Sequence, residues 1–97
     1  MELSNYVIQL SSLAHESRLT IFRLLVRAGP AGITPGNISA SISLPAATLS
    51  FHLKDLRNAG LIHQKKQGRS IIYSANYQSM DSLIQFLYKN CCSASSC

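Results

Sequence analysis

The chain has 97 residues, too few for more than one small domain. Hydrophobic residues make up 46% and charged ones only 13%, about half the usual charged share, which excludes a disordered chain and points to a globular fold with apolar surface left for a partner. Nine Lys and Arg against four Asp and Glu give a net charge of +5, which favours a polyanionic partner, nucleic acid first and a membrane surface second. The richest apolar stretch, 21–26, contains Arg23 and falls far short of the roughly 20 apolar residues a spanning helix needs. No targeting segment is recognisable, so a cytoplasmic location is expected. The three cysteines, Cys91, Cys92 and Cys97, lie in the last seven positions, an odd number that cannot staple a core.

Leu3, Tyr6, Val7, Leu10 and Leu13 recur at helical spacing and predict a first helix, after which Ser17 offers the N-cap of a second. In the second, Leu19, Phe22, Leu25 and Val26 are expected inward, with Arg18, Arg23 and Arg27 left for solvent or phosphate, and Gly29-Pro30-Ala31-Gly32 ends it. Thr34-Pro35 fits an N-cap followed by proline at the first helical position, and Ile38 and Ile42 share one face of a short third helix. Leu44-Pro45 forces an extended residue, so a fourth helix starts near Ala46 after a gap of a few residues. Its inward stripe is Leu49, Leu53 and Leu56, which leaves Ala47, Thr48, Ser50, Phe51 and Lys54 on other faces, and Asn58-Ala59-Gly60 closes it. Two strand-like runs, 61–65 and 70–74, flank the polar loop Lys66-Gln67-Gly68-Arg69 and predict a basic-tipped hairpin. Met80, Leu83, Ile84, Leu87 and Tyr88 then form an apolar stripe on a last helix before a Ser-rich tail. The expected units are a domain over 1–90 and a cysteine-containing tail over 91–97.

A short helix, a tight turn, a longer helix and a glycine-tipped basic hairpin occur in the order of a winged helix-turn-helix, a mainly α fold with one small β-hairpin. The second helix of such a pair enters the major groove of double-stranded DNA, its partner crosses the backbone, and the wing reaches sugar and phosphate. Each part alone also has an ordinary reading: helical trios are common in all-α domains, and Lys65, Lys66 and Arg69 also suit a solvated turn.

The run at 45–62, with Leu49-Ser50-Phe51-His52-Leu53-Lys54-Asp55-Leu56 at its centre and Asn58-Ala59-Gly60-Leu61-Ile62 at its end, resembles the arsenical-resistance repressor (ArsR/SmtB) family of bacterial transcription regulators. Gln67-Gly68-Arg69-Ser70-Ile71-Ile72-Tyr73 is similar to that family's wing, and Leu13-Ala14-His15-Glu16-Ser17-Arg18-Leu19 to its early helix junction. The resemblance implies a homodimer that binds an imperfect palindrome in an operator, represses transcription and releases DNA when a metal or metalloid binds. The apolar stripes of the first and last helices exceed what so small a domain can bury alone, so pairing through them is a natural outlet.

Within the reading helix, Ala47 lies toward the groove, Thr48 and Ser50 offer hydroxyls to bases or phosphates, and Phe51 can touch a thymine methyl. Lys54 and the wing residues Lys65, Lys66 and Arg69 supply phosphate attraction. His52 sits where the family usually has histidine and suits either a half-buried imidazole bracing the turn or a DNA contact. The family usually opens this helix with a hydroxyl or amide cap and a glutamine; Pro45 and Ala46 stand there in this chain, so the operator sequence does not carry over.

One family sensing site uses a Cys-x-Cys pair at the start of the third helix, where this chain has Thr34 and Gly36; another uses Asp-x-His with further ligands on the last helix, where this chain has Asp81-Ser82-Leu83 and no histidine. What remains is Cys91-Cys92 and, after four residues, Cys97, similar to a family variant that senses trivalent arsenic at its C-terminus. Thiolates favour soft ions, three-fold sulfur coordination suits As(III) or Sb(III), and structural zinc usually wants a fourth ligand. A redox-sensing or a functionally silent tail are the alternatives. An enzyme is not expected: His15, His52 and His63 lie on three different elements, the acids are Glu2, Glu16, Asp55 and Asp81, and no nucleophile motif or phosphate-binding glycine loop occurs.

Overall fold

The computed structural model describes residues 2–92. Helix α1 (Leu3–Leu13) is followed after a two-residue bend by α2 (Glu16–Ala28). The cap of α2 is His15 rather than Ser17: its Nδ1 accepts the Ser17 backbone N–H at 3.2 Å. Helix α3 (Pro35–Ile42) begins as the Thr34-Pro35 pair predicts, with Thr34 Oγ1 accepting the Asn37 N–H at 3.3 Å. Ser43, in the left-handed region at φ +56°, then swings the chain through Leu44-Pro45 into α4 (Ala46–Asn58). This three-residue turn joins the two helices of a helix-turn-helix.

Strands β1 (Ile62–Gln67) and β2 (Ser70–Ala75) pair antiparallel from Ile62 opposite Ala75 to Gln67 opposite Ser70. The strands run further toward the tip than the sequence runs predict, and the loop shrinks to Gly68-Arg69. Gly68 has φ +63°, the sense a two-residue hairpin demands at its first central position and one glycine adopts without steric cost. Helix α5 (Tyr77–Tyr88) starts on Asn76, whose side chain accepts the Ser79 N–H at 3.1 Å and donates to Gly60 O at 3.0 Å.

The core lies where α2, α3, α4 and the base of the hairpin meet: Ile21, Phe22 and Leu25, Ile38, then Leu49, Leu53 and Leu56, closed by Leu61, Ile62 and Ala75. The expected stripe of α4 is correct, whereas α2 differs by one position, with Ile21 fully buried and Leu19 43% exposed. An isolated bridge ties the hairpin to the α2–α3 connection, because Ile33 and Tyr73 exchange both backbone hydrogen bonds at 2.9 Å. Gly32 makes that bridge possible: a Cβ there would stand 2.5 Å from the Tyr73 carbonyl oxygen. Tyr77 Oη donates to Val26 O at 2.8 Å and fixes the start of α5 against the end of α2.

The first helix turns a different face inward than its apolar residues suggest. Tyr6, Gln9 and Ser12 are buried, with Tyr6 stacked on Phe86 of α5 at 4.0 Å between ring centres, while Leu3, Val7, Ile8 and Leu10 face outward. On α5 only Leu83 is buried, and Ile84, Leu87 and Tyr88 are exposed. The radius of gyration is 15.0 Å against about 12.5 Å for a compact domain of this length, with principal extents of 52 × 24 × 22 Å. No described helix is long and apolar enough to cross a membrane.

Candidate nucleic-acid interface

Helix α4 packs Leu49, Leu53 and Leu56 on the core, and the 3.6-residue period then dictates what the opposite side offers. Ala47, Phe51 and Lys54 run along the middle of that outward face, with Ser50 on one flank and Thr48 on the other, and all five are exposed. Phe51, 65% exposed, is a large apolar ring presented to solvent at the centre of a polar surface. The face also carries Arg57 and Asn58, which the sequence reading did not single out although their helical phase was available. Hydroxyls, an aromatic ring and two cations are the chemistry that reads base edges and holds phosphate.

His52 is a correction. It is only 6% exposed and lies on the inward side of α4, away from the face of Ala47, Phe51 and Lys54, a placement that suits the bracing role rather than a base contact. Its Nδ1 lies 3.4 Å from Arg18 Nη1, and its ring stands 4.9 Å from that of His15. Burial, assisted by the charges of His15 and Arg18, holds its pKa below the usual histidine value, against an opposing pull from Asp55.

In the hairpin Lys65, Lys66 and Arg69 are all exposed. Strand alternation divides the two lysines, Lys65 sharing one face with Ile72 and Lys66 the other with Ile71, so they do not form the single basic tip the sequence suggested. Arg69 occupies the turn itself.

At the end of α5, Cys91 N donates to Tyr88 O at 3.1 Å, and the Cys91 and Cys92 sulfurs lie 3.4 Å apart. Cys97 lies outside the described residues, as does most of the expected 91–97 tail. Among the described residues no group of three or more His, Cys, Asp or Glu is placed to hold a metal ion.

These features meet in known proteins. A helix-turn-helix domain model matches residues 13–65. The chain is 28% identical over 88 residues to the transcriptional activator HlyU of Vibrio cholerae, covering 91% of this chain and 79% of that protein. The HlyU structure superposes with a TM-score of 0.74, covering 95% of this chain and 99% of that one. An ArsR-like transcriptional regulator from Rhodococcus sp. RHA1 shares the fold with a TM-score of 0.80 at 22% identity, over 89% of this chain and 78% of that one. A structure described as a possible transcriptional regulator for arsenical resistance matches with a TM-score of 0.71 at 29% identity, over 81% of this chain and 79% of that one.

The chain belongs to the ArsR/SmtB family of winged helix-turn-helix proteins. It is a DNA-binding transcriptional regulator and not an enzyme, as its relatives are.

Proposed function

We propose that the chain is a homodimeric repressor that holds operator DNA with α4 and the wing and lets it go when As(III) or Sb(III) is taken by Cys91, Cys92 and Cys97. The dimer is supported by the unpartnered apolar faces of α1 and α5. Leu3, Val7, Ile8, Leu10, Ile84, Leu87 and Tyr88 are each 40–72% exposed. Together they present roughly 700 Å² of side-chain surface, near the ~800 Å² each partner contributes to a stable interface. A two-fold axis through those helices sets the two copies of α4 to read symmetric half-sites.

The observation that carries the sensing role is the gathering of all three cysteines, Cys91, Cys92 and Cys97, in the seven positions that follow α5 and its capping residues. In the reduced protein three thiolates would suit a soft trivalent centre with a lone pair, which takes three sulfurs in pyramidal geometry. Cys97, four residues beyond Cys92 in the sequence, is the third donor of this reading. The similar arsenical-resistance structure lends the reading a family precedent. Because the sulfurs continue directly from the exposed Ile84, Leu87 and Tyr88 face, closing them on one ion orders the end of the dimer helix and biases how two copies sit. Effector and DNA then oppose each other, each weakening the other's binding by the same factor, typically 1–3 kcal/mol of coupling.

The test is As(III) added to the reduced protein on its duplex, with thiols counted before and after. Three thiols should be lost per chain as DNA dissociates. Cys97→Ser should keep DNA binding and lose most of the response. Normal release from Cys97→Ser rules out the three-sulfur site, and release by oxidant but not by As(III) selects the redox reading instead.

A further inference from the structure

Polar side chains from α1, α2 and α4 converge where α1 ends, behind the face that α4 turns to DNA. Ser12, buried, donates from Oγ to Asp55 Oδ1 at 2.6 Å, and its carbonyl accepts from Arg18 Nε at 2.7 Å. Arg18 Nε also lies 3.6 Å from Asp55 Oδ1, while Nη1 reaches His52 Nδ1 at 3.4 Å. Arg18 thus touches the dimer helix α1 through Ser12 and the reading helix α4 through both His52 and Asp55. The Arg18–His52 and Ser12–Asp55 contacts span 34 and 43 residues of sequence, so no local rule produces them.

A guanidinium carries donors only, so His52 Nδ1 must be the acceptor, and the ring is neutral with its proton on Nε2. Protonating Nδ1 deletes that hydrogen bond and sets a second cation against Arg18, with His15 4.9 Å away on the same side. Asp55 is the one group nearby that favours the charged ring. Helices α1 and α3 carry no charged side chain, and β1 brings His63, Lys65 and Lys66, all exposed. A proton at His52 is therefore opposed both by burial and by its neighbours.

We propose that Arg18 and His52 form a proton-sensitive brace for the reading helix: with His52 neutral, α4 is held against the end of α1 in its DNA-competent pitch, and protonation of His52 undoes the hold. Arg18 acts here as a positioning residue, since it works on DNA through α4. The inference rests on α4 being the helix that reads DNA. Its sign sets it apart from general electrostatics. Acid normally tightens the grip of a basic protein on phosphates, and a histidine near DNA gains proton affinity. The brace demands the reverse, and linkage then requires DNA to lower the proton affinity of His52 by the same factor by which the proton weakens DNA.

The experiment uses the full chain and a labelled duplex selected by the wild type from a random pool, at fixed ionic strength, between about pH 5.5 and 7.5. Wild-type affinity should fall at least about fivefold toward the acid end. His52→Gln should flatten the profile, and His63→Gln should leave it as in the wild type. Should His52→Gln fail to fold, the ring-proton NMR titration of His52 in the wild-type chain decides the matter: its midpoint moves down when duplex is added. A midpoint that rises or stays put, or an affinity that climbs with acid, overturns the brace while leaving α4 as the reading helix. A duplex bound at no pH overturns both.

Discussion

Replacing Gly32 by alanine tests the contact that joins the wing to the helical body. Gly32 sits at φ +76°, where a side chain costs about 1–2 kcal/mol. The added Cβ would also stand 2.5 Å from the Tyr73 carbonyl oxygen and 2.6 Å from Ile72 Cγ2, far inside contact distance and partly against backbone that cannot swing away. The strand must move, and the two 2.9 Å hydrogen bonds between Ile33 and Tyr73 open, each contributing about 1 kcal/mol net. Gly32→Ala is therefore expected to lose about 3–4 kcal/mol, a large share of the 5–15 kcal/mol a small domain possesses. The urea midpoint should drop by about 2 M at an m-value of about 1.5–2 kcal/mol/M. Gly36→Ala is the matched control, because a Cβ on α3 meets nothing within 4 Å and a helical alanine is favoured by up to about 1 kcal/mol. Amide exchange at Ile33 and Tyr73 reports the bridge directly. A Gly32→Ala protein with the wild-type midpoint and undiminished protection at those amides would refute the claim that this bridge anchors the wing.

Leu87, 61% exposed on α5, should become a site of strong interference on conversion to Glu, shifting the chain to monomer in sedimentation equilibrium while its helical circular dichroism persists; an unchanged dimer removes α5 from the interface. Arg69→Ala should weaken selected and random duplexes alike and reduce the salt slope by about 1, whereas Ser50→Ala should erode preference between them, as competition binding over a salt series will show. The lowered pKa of His52 has a consequence for folding as well. The unfolded chain takes up the proton near 6.5 and the folded chain does so only at lower pH, so stability is whole above about 6.5 and declines as pH falls through the interval below it. Urea midpoints of the wild type should follow that course and those of His52→Gln should follow it less; a wild-type midpoint that rises over the same interval contradicts the sign.

Local grammar was legible in the amino acids alone. Thr34-Pro35 opens α3, Gly60 follows α4, Gly68 tips the wing, and Leu49, Leu53 and Leu56 mark the buried side of α4, because capping, turn geometry and helical period act over three or four residues. The net charge and the family pattern already pointed at DNA. Tertiary packing decided the rest. On α1 two faces compete, and the less apolar one is buried, since Tyr6 finds Phe86 to stack on and Ser12 finds Asp55 to bond, contacts made 80 and 43 positions away. His52 fitted two roles until the fold set it on the inward side of α4 beside Arg18. Period and punctuation say which residues share a face, whereas which face goes inward depends on partners brought up from distant parts of the chain, and that information exists only once the chain has folded.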